Sequence, residues 1–145
     1  MTPQGKIRQP IQLFRAGEKG AVAVEFALIA PLLIALVFGT ISFGYLFGVS
    51  HSVQQLAAEA ARVSVKGLED DEREELAKDY IINAKLRYPL LRQDAISWTV
   101  DVTDGALADV QVTVIYAVDG SLLELANSLF GLGISEIVGR AYLAY

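Results

Sequence analysis

The fold is decided by residues 21–50, which read AVAVEFALIAPLLIALVFGTISFGYLFGVS. Glu25 is the only charged residue in this stretch, and the 23 residues from Phe26 to Gly48 carry no charge at all. At about 1.5 Å per residue they extend about 35 Å as a helix, slightly more than the ~30 Å hydrocarbon core of a bilayer. A chain of 145 residues cannot enclose a helix that is apolar on all sides. The stretch therefore predicts a membrane-spanning helix.

The charges on the two sides of this span are unequal. Residues 1–20 carry four basic residues and one acidic residue, a net charge of 4 − 1 = +3, whereas residues 51–145 carry eight basic and fifteen acidic residues, 8 − 15 = −7. Because basic segments stay in the cytoplasm, we expect a cytoplasmic leader (1–20), a transmembrane helix (21–50) and an extracytoplasmic domain (51–145). The acidic domain would be repelled by phosphate, so nucleic acid is not an expected partner.

Four residues within the span interrupt its uniform apolar character. Glu25 lies at its edge, where position alone favours a carboxylate that reaches interfacial water. Pro31 removes one helical hydrogen bond and predicts a kink. Gly44 and Gly48 are four residues apart, a spacing that lets another helix approach closely, so they are candidates for a helix-packing face.

The domain beyond the membrane begins with a continuation of the same helix. Mainly small residues recur at intervals of three and four up to a stop at Gly67: Val49, Val53, Leu56, Ala57, Ala60, Ala61 and Ser64. The acid-rich segment Glu69–Asp79 is typical of a helix N-terminus and predicts a second helix, solvated on its acidic face, that ends before Pro89.

After Pro89 the apolar pattern changes to a period of two. Alternation over 96–103 and 110–118, joined by a short Asp-Gly connector at 104–109, predicts an antiparallel hairpin, and 134–145 predicts a third strand. Between them, 121–130 predicts a short helix capped by Ser121, whose Leu129–Phe130 end we expect to be buried against the sheet rather than on a membrane or partner. The predicted fold is α+β, with a sheet of about three strands.

The residues needed for most small-enzyme chemistry are missing. The chain has no cysteine and one histidine, His51, which excludes disulfides, thiol nucleophiles and multi-histidine metal sites. No phosphate-binding glycine motif is present. A membrane-bound enzyme would have to rely on isolated candidates such as His51 or Asp101. We therefore expect a non-enzyme with no cofactor and no metal site.

The start of the apolar stretch resembles a known protein family. Residues 20–31, GAVAVEFALIAP, are similar to the processing region of the pilins of tight-adherence (Tad, or Flp) pili, and residues 17–48 resemble TadE-like minor pilins, or pseudopilins. The run AAEAAR at 57–62 is similar to the small-residue and arginine run that follows the membrane helix in this family.

This resemblance assigns roles to particular residues. It implies that a prepilin peptidase cuts after Gly20, so that the mature chain begins at Ala21 and has Glu25 at its fifth position. Phe26 stands where the major pilins have tyrosine and where phenylalanine is common in the TadE-like branch. In an assembled filament, the resemblance implies that Glu25 of one subunit pairs with the terminal amine of a neighbour.

The resemblance also implies a function and a location. It predicts a pilin-like minor pilin of the bacterial inner membrane, required to assemble a pilus used in surface attachment and biofilm formation, and incorporated into that pilus. The implied partners are the prepilin peptidase, other Tad pilins, the inner-membrane assembly platform and membrane lipid. The alternative is an uncleaved single-pass anchor whose extracytoplasmic domain binds another protein.

Overall fold

The computed structural model describes residues 14–103 and 109–144. It has three α-helices, α1 (Phe14–Ser64), α2 (Asp70–Ile82) and α3 (Leu122–Phe130), and three strands, β1 (Ile96–Thr103), β2 (Asp109–Ala117) and β3 (Glu136–Ala144). Short 3-10 turns occupy Asn83–Leu86 and Gln93–Ala95. The predicted α+β class with a three-stranded sheet is confirmed.

The chain divides into two compact units, Met1–Thr40 and Ile41–Tyr145. The described part of the first unit is a single helix, residues 14–40 of α1, which runs through Pro31 without a break. Its apolar side chains are exposed, with Phe26 at 67% and Leu28 at 75%. An 18-residue window of α1 reaches a mean hydropathy of 2.6, so the helix is long and apolar enough to cross a membrane. Residues 1–13 of the predicted leader lie outside the described residues.

The second unit is built around the remainder of α1. The predicted stripe of small residues is confirmed, because each of its seven residues is fully buried: Val49, Val53, Leu56, Ala57, Ala60, Ala61 and Ser64. The Ser64 hydroxyl donates to the Ala61 carbonyl at 2.8 Å, which satisfies the one polar group of the stripe. α1 ends there, three residues before the predicted stop at Gly67. This stripe is therefore the helical side of the core.

The sheet is antiparallel with the order β1-β2-β3. Val112 of β2 lies opposite Val100 of β1 and opposite Ala141 of β3, so the alternating apolar residues of all three strands share one face. That face includes Gly139, where the strand passes so close to α1 that an added Cβ would lie 2.7 Å from the Val53 carbonyl oxygen. The predicted hairpin pairing is confirmed, although its connector at 104–108 lies outside the described residues, as does Tyr145 of the predicted third strand.

The two shorter helices begin and end at residues suited to those positions. The Leu68 N–H donates to the Glu72 carboxylate at 2.7 Å at the start of α2. The predicted cap of α3 is confirmed, since the Leu123 N–H donates to the Ser121 hydroxyl at 3.2 Å. Gly131 ends α3 with a left-handed backbone, φ +63°.

The exposed end of α3 corrects one prediction. The expected burial of Leu129 and Phe130 against the sheet is wrong, because they are 67% and 41% exposed. Leu123 and Ala126, three residues apart, occupy the stripe of α3 that faces the core. Leu122, Leu125 and Leu129 have a similar helical spacing but form a neighbouring stripe that is exposed.

Candidate processing and assembly site

The Gly20–Ala21 bond lies inside α1 and both residues are exposed. A Cβ atom added to Gly20 would meet nothing within 4 Å. A peptidase has to take such a bond out of the helical conformation, and each glycine lowers helix stability by about 0.5–1 kcal/mol relative to alanine. Gly17 lies three residues earlier in the same helix. The helix is therefore intrinsically weak at the predicted cleavage point.

Glu25 lies on the same side of α1 as Ala21. The two residues are four apart in a continuous helix, which separates them by about 6 Å along the axis. Glu25 is exposed, as are its apolar neighbours Val24 and Phe26. A cut before Ala21 would leave free N–H groups and a positive helix end one turn from this carboxylate. The geometry thus places a carboxylate beside the position where cleavage creates an amine.

The two candidate packing glycines have different surroundings. A Cβ atom on Gly44 would meet nothing within 4 Å, whereas one on Gly48 would lie 3.0 Å from Cδ1 of Leu90. Gly48 thus contacts the Tyr88–Arg92 loop of its own unit, and the Tyr45 hydroxyl lies 3.5 Å from the Leu90 carbonyl in the same region. The helix surface at Gly44, in contrast, is not covered by the rest of the unit. Association of another helix with either glycine stays a prediction, as does a kink at Pro31.

The isolated catalytic candidates lie on exposed surfaces. His51 is exposed on α1, and Asp101 is exposed on β1. Among the described residues, no group of three or more His, Asp or Glu side chains is placed to hold a metal ion. Two acidic residues of α2 form local ion pairs, Asp70 with Arg73 and Glu74 with Lys78. The other acidic residues of α2 are exposed, so its acidic face is solvated as predicted.

One contact that holds the second unit together has no local sequence pattern that predicts it. The side-chain amide of Gln54 donates to the Arg140 carbonyl at 2.7 Å and accepts from the Arg140 N–H at 3.2 Å. A polar residue on a helix predicts only that its side chain faces solvent. The sequence around Gln54 therefore contains nothing that predicts its hydrogen bonds to β3. Gly139 did have one, because a glycine within a strand pattern often marks a close backbone approach.

A second unpredicted contact fixes the start of α3. The Arg92 guanidinium donates to the Asp119 carbonyl at 3.0 Å and pairs with the Asp94 carboxylate. This pairing lowers the pKa of Asp94 below its ordinary value. Arg92 therefore ties the Tyr88–Arg92 loop, which contacts Gly48, to the turn that precedes α3.

Comparison with known proteins identifies a family for part of the chain. Residues 20–62, 43 of the 145 residues, match the family model described as TadE-like protein. The match covers the apolar part of α1 and most of its buried stripe, and it confirms the resemblance over these residues. The matched residues are less than half of the chain. Searches of curated proteins and of solved structures return no significant match to the chain.

Proposed function

We propose that this chain, whose residues 20–62 match the TadE-like family, is a minor pilin of a tight-adherence pilus. It is inserted as a single-span precursor, is cut after Gly20 by a prepilin peptidase, and is required for assembly of a pilus that attaches the cell to a surface. Its N-terminus is cytoplasmic and residues 51–145 are periplasmic before assembly. Its further partners are other Tad pilins, the inner-membrane assembly platform and membrane lipid.

The position of Glu25 is the observation that carries this proposal. The carboxylate lies one helical turn after Ala21, on a helix whose apolar side chains are exposed to their surroundings. A charge at the edge of such a helix needs a partner once the helix leaves water. Cleavage after Gly20 supplies an amine of opposite charge on Ala21.

This pairing explains how processing controls assembly. Before the cut, α1 continues through Gly20 and Ala21, so the helix has no terminus near Glu25. After the cut, Glu25 of one subunit can meet the Ala21 amine of its neighbour within a bundle of apolar helices. An unpaired buried charge is strongly unfavourable, so only the register that pairs the two groups is stable. Cleavage thus converts an anchored precursor into a subunit that assembles in one register.

The alternative is an uncleaved anchor whose outer domain binds a protein. The two functions are separated by the mass and N-terminal sequence of membrane-extracted protein, expressed with and without the matching prepilin peptidase. We expect a chain that starts at Ala21 only with the peptidase. Gly20→Glu should remain full length, whereas the matched control Gly17→Ala should be cut. A wild-type chain that stays full length beside an active peptidase would reject the minor-pilin proposal.

Assembly is tested separately with the mature chain. Glu25→Gln should insert into the membrane and be absent from sheared pili, because the amine of a neighbouring subunit then lacks its partner. Asp71→Asn removes an exposed acid from α2 and should be incorporated normally. Incorporation of Glu25→Gln at the level of Asp71→Asn would show that Glu25 has no part in assembly.

A further inference from the structure

The start of the exposed stripe of α3 lies close to Tyr45 of α1, near the outer end of the predicted transmembrane helix. A surface groove within the second unit is lined by Tyr45 of α1, by Arg92, and by Leu122 and Leu125 of α3. Tyr45 is five residues before Ser50, the last residue of the predicted transmembrane helix (21–50). At about 1.5 Å per residue, Tyr45 is therefore within about 8 Å of the end of that helix. The start of α3 is thus placed at the level where α1 leaves the apolar phase.

Several apolar residues near this level are exposed. On α1, Ile41, Phe43 and Phe47 are exposed, and Phe47 reaches 70%. Leu90, which contacts Gly48, is 41% exposed. Across the groove from Tyr45, Leu122 is 53% and Leu125 is 55% exposed. α3 therefore places exposed leucines beside the part of α1 that carries Tyr45.

The composition of α3 suits the boundary between headgroups and acyl chains. Leu122–Phe130 has an apolar arc wider than the buried part formed by Leu123 and Ala126, with Glu124, Asn127 and Ser128 on the remaining side. The Glu124 carboxylate accepts from the Gly120 N–H at 2.6 Å, and the Asn127 amide bonds to the Ile134 backbone, so these polar groups are engaged within the protein. Amphipathic helices that bind membranes lie in the plane of this boundary, with their apolar face about 5–10 Å deep.

We infer that α3 is an interfacial helix, whose Leu122, Leu125 and Leu129 side chains insert into the outer leaflet of the same membrane that α1 spans. This inference rests on the proposed function, since it requires α1 to be inserted in a bilayer. The occupant of the exposed stripe is lipid. Tyr45, with its hydroxyl near the Leu90 carbonyl, is the aromatic residue at the same interface. α3 thereby holds the second unit against the membrane until assembly removes the chain from it.

The absence of cysteine from the chain permits a direct test. The full-length chain is reconstituted into vesicles of phosphatidylethanolamine and phosphatidylglycerol that contain a lipid with a nitroxide just below its headgroup. Single cysteines at Leu125→Cys and Leu129→Cys are labelled with an environment-sensitive fluorophore. Phe47→Cys on the end of α1 is the lipid-exposed control. Thr99→Cys, exposed on β1, is the aqueous control.

We expect the labels at 125 and 129 to lose fluorescence to the nitroxide lipid by a fraction similar to that at 47, whereas the label at 99 loses none. Quenching at 47 with labels at 125 and 129 that behave like 99 would overturn this inference and leave the inserted span intact. Labels at 125 and 129 that are shielded from aqueous iodide but not quenched by lipid would also overturn it, since a second copy or another protein would then cover the stripe. Loss of quenching at 47 itself would instead reject the membrane span and, with it, the proposed function. Two labelled positions keep the test decisive if one variant fails to fold, as judged by its circular dichroism.

Discussion

The two parts of α1 bury their apolar side chains in different ways. From residue 20 to residue 40, large side chains surround the helix and are exposed, whereas from Val49 to Ser64 a narrow stripe of mainly small residues is fully buried. The exposed side chains of residues 20–40 need lipid or neighbouring helices to cover them. The stripe from Val49 to Ser64 is already covered by the rest of its own unit. Residue size and angular spread, more than hydrophobicity alone, therefore distinguish a helix made for a membrane from one made for a protein core.

The sharpest test of this comparison makes the same substitution in both parts. Leu56→Ala removes a fully buried side chain and should lower the free energy of unfolding of the second unit by about 2–5 kcal/mol. Leu33→Ala, at a side chain that is 50% exposed, should change it by no more than about 0.5 kcal/mol. Denaturant unfolding in micelles, followed by fluorescence of the single tryptophan Trp98, measures both. Equal losses would mean that the two parts do not differ.

A smaller effect is expected from adding a methyl group to a glycine in each setting. In Gly139→Ala the new Cβ would lie 2.7 Å from the Val53 carbonyl oxygen and 2.9 Å from the Gln54 nitrogen. Both are backbone atoms, so the helix and sheet must move apart, at a cost of about 1–3 kcal/mol. Gly44→Ala, with nothing within 4 Å, should not destabilise the chain. The thermal unfolding midpoints of the two variants test this, and an unchanged midpoint for Gly139→Ala would exclude the close contact.

A third effect appears only in alkaline solution and concerns a buried residue of the second unit. Burial, followed by a hydrogen bond with Tyr80, raises the pKa of Tyr88 from 10.0 to about 12. Between these values the unfolded chain has lost the phenolic proton that the folded chain keeps. The contribution to stability is therefore complete below pH 10 and is lost as pH rises towards 12.

Tyr88→Phe provides the control for this pH dependence. The variant has no proton to lose at position 88, so its stability should fall less steeply above pH 10 than that of the wild type. Denaturation midpoints measured through this range give the comparison. Parallel slopes for the two proteins would assign the alkaline loss to other groups. One such group is Tyr142, whose pKa is raised by a hydrogen bond to Asp109.

Local patterns were sufficient to predict most elements but not their contacts. The period of two over 96–103 predicted β1 with its observed bounds, and the spacing from Val49 to Ser64 predicted the buried stripe of α1. α3 was predicted as a helix, yet its periodicity could not show which of its two adjacent apolar stripes is buried. The pairing of Gln54 with Arg140 joins residues 86 apart, and no local pattern encodes such a contact.

The candidate site was predictable to a different extent. Gly20, Glu25 and the apolar residues after them form a motif within one helix, so the sequence alone was enough to single them out. Their proposed roles depend on a peptidase and on neighbouring subunits, which the residues of one chain do not contain. The different surroundings of Gly44 and Gly48 became visible only once the Tyr88–Arg92 loop was placed beside α1.

The amide of Gln54 has a consequence for how copies of this chain can associate. β3 is an edge strand, and its outward N–H and carbonyl at Arg140 are both bonded to Gln54. An open edge of this kind is a template for strand addition and amyloid-like aggregation between crowded molecules. With α1 lying against it, this edge is blocked midway along the strand. Strand addition between copies of this chain is thus hindered at this edge.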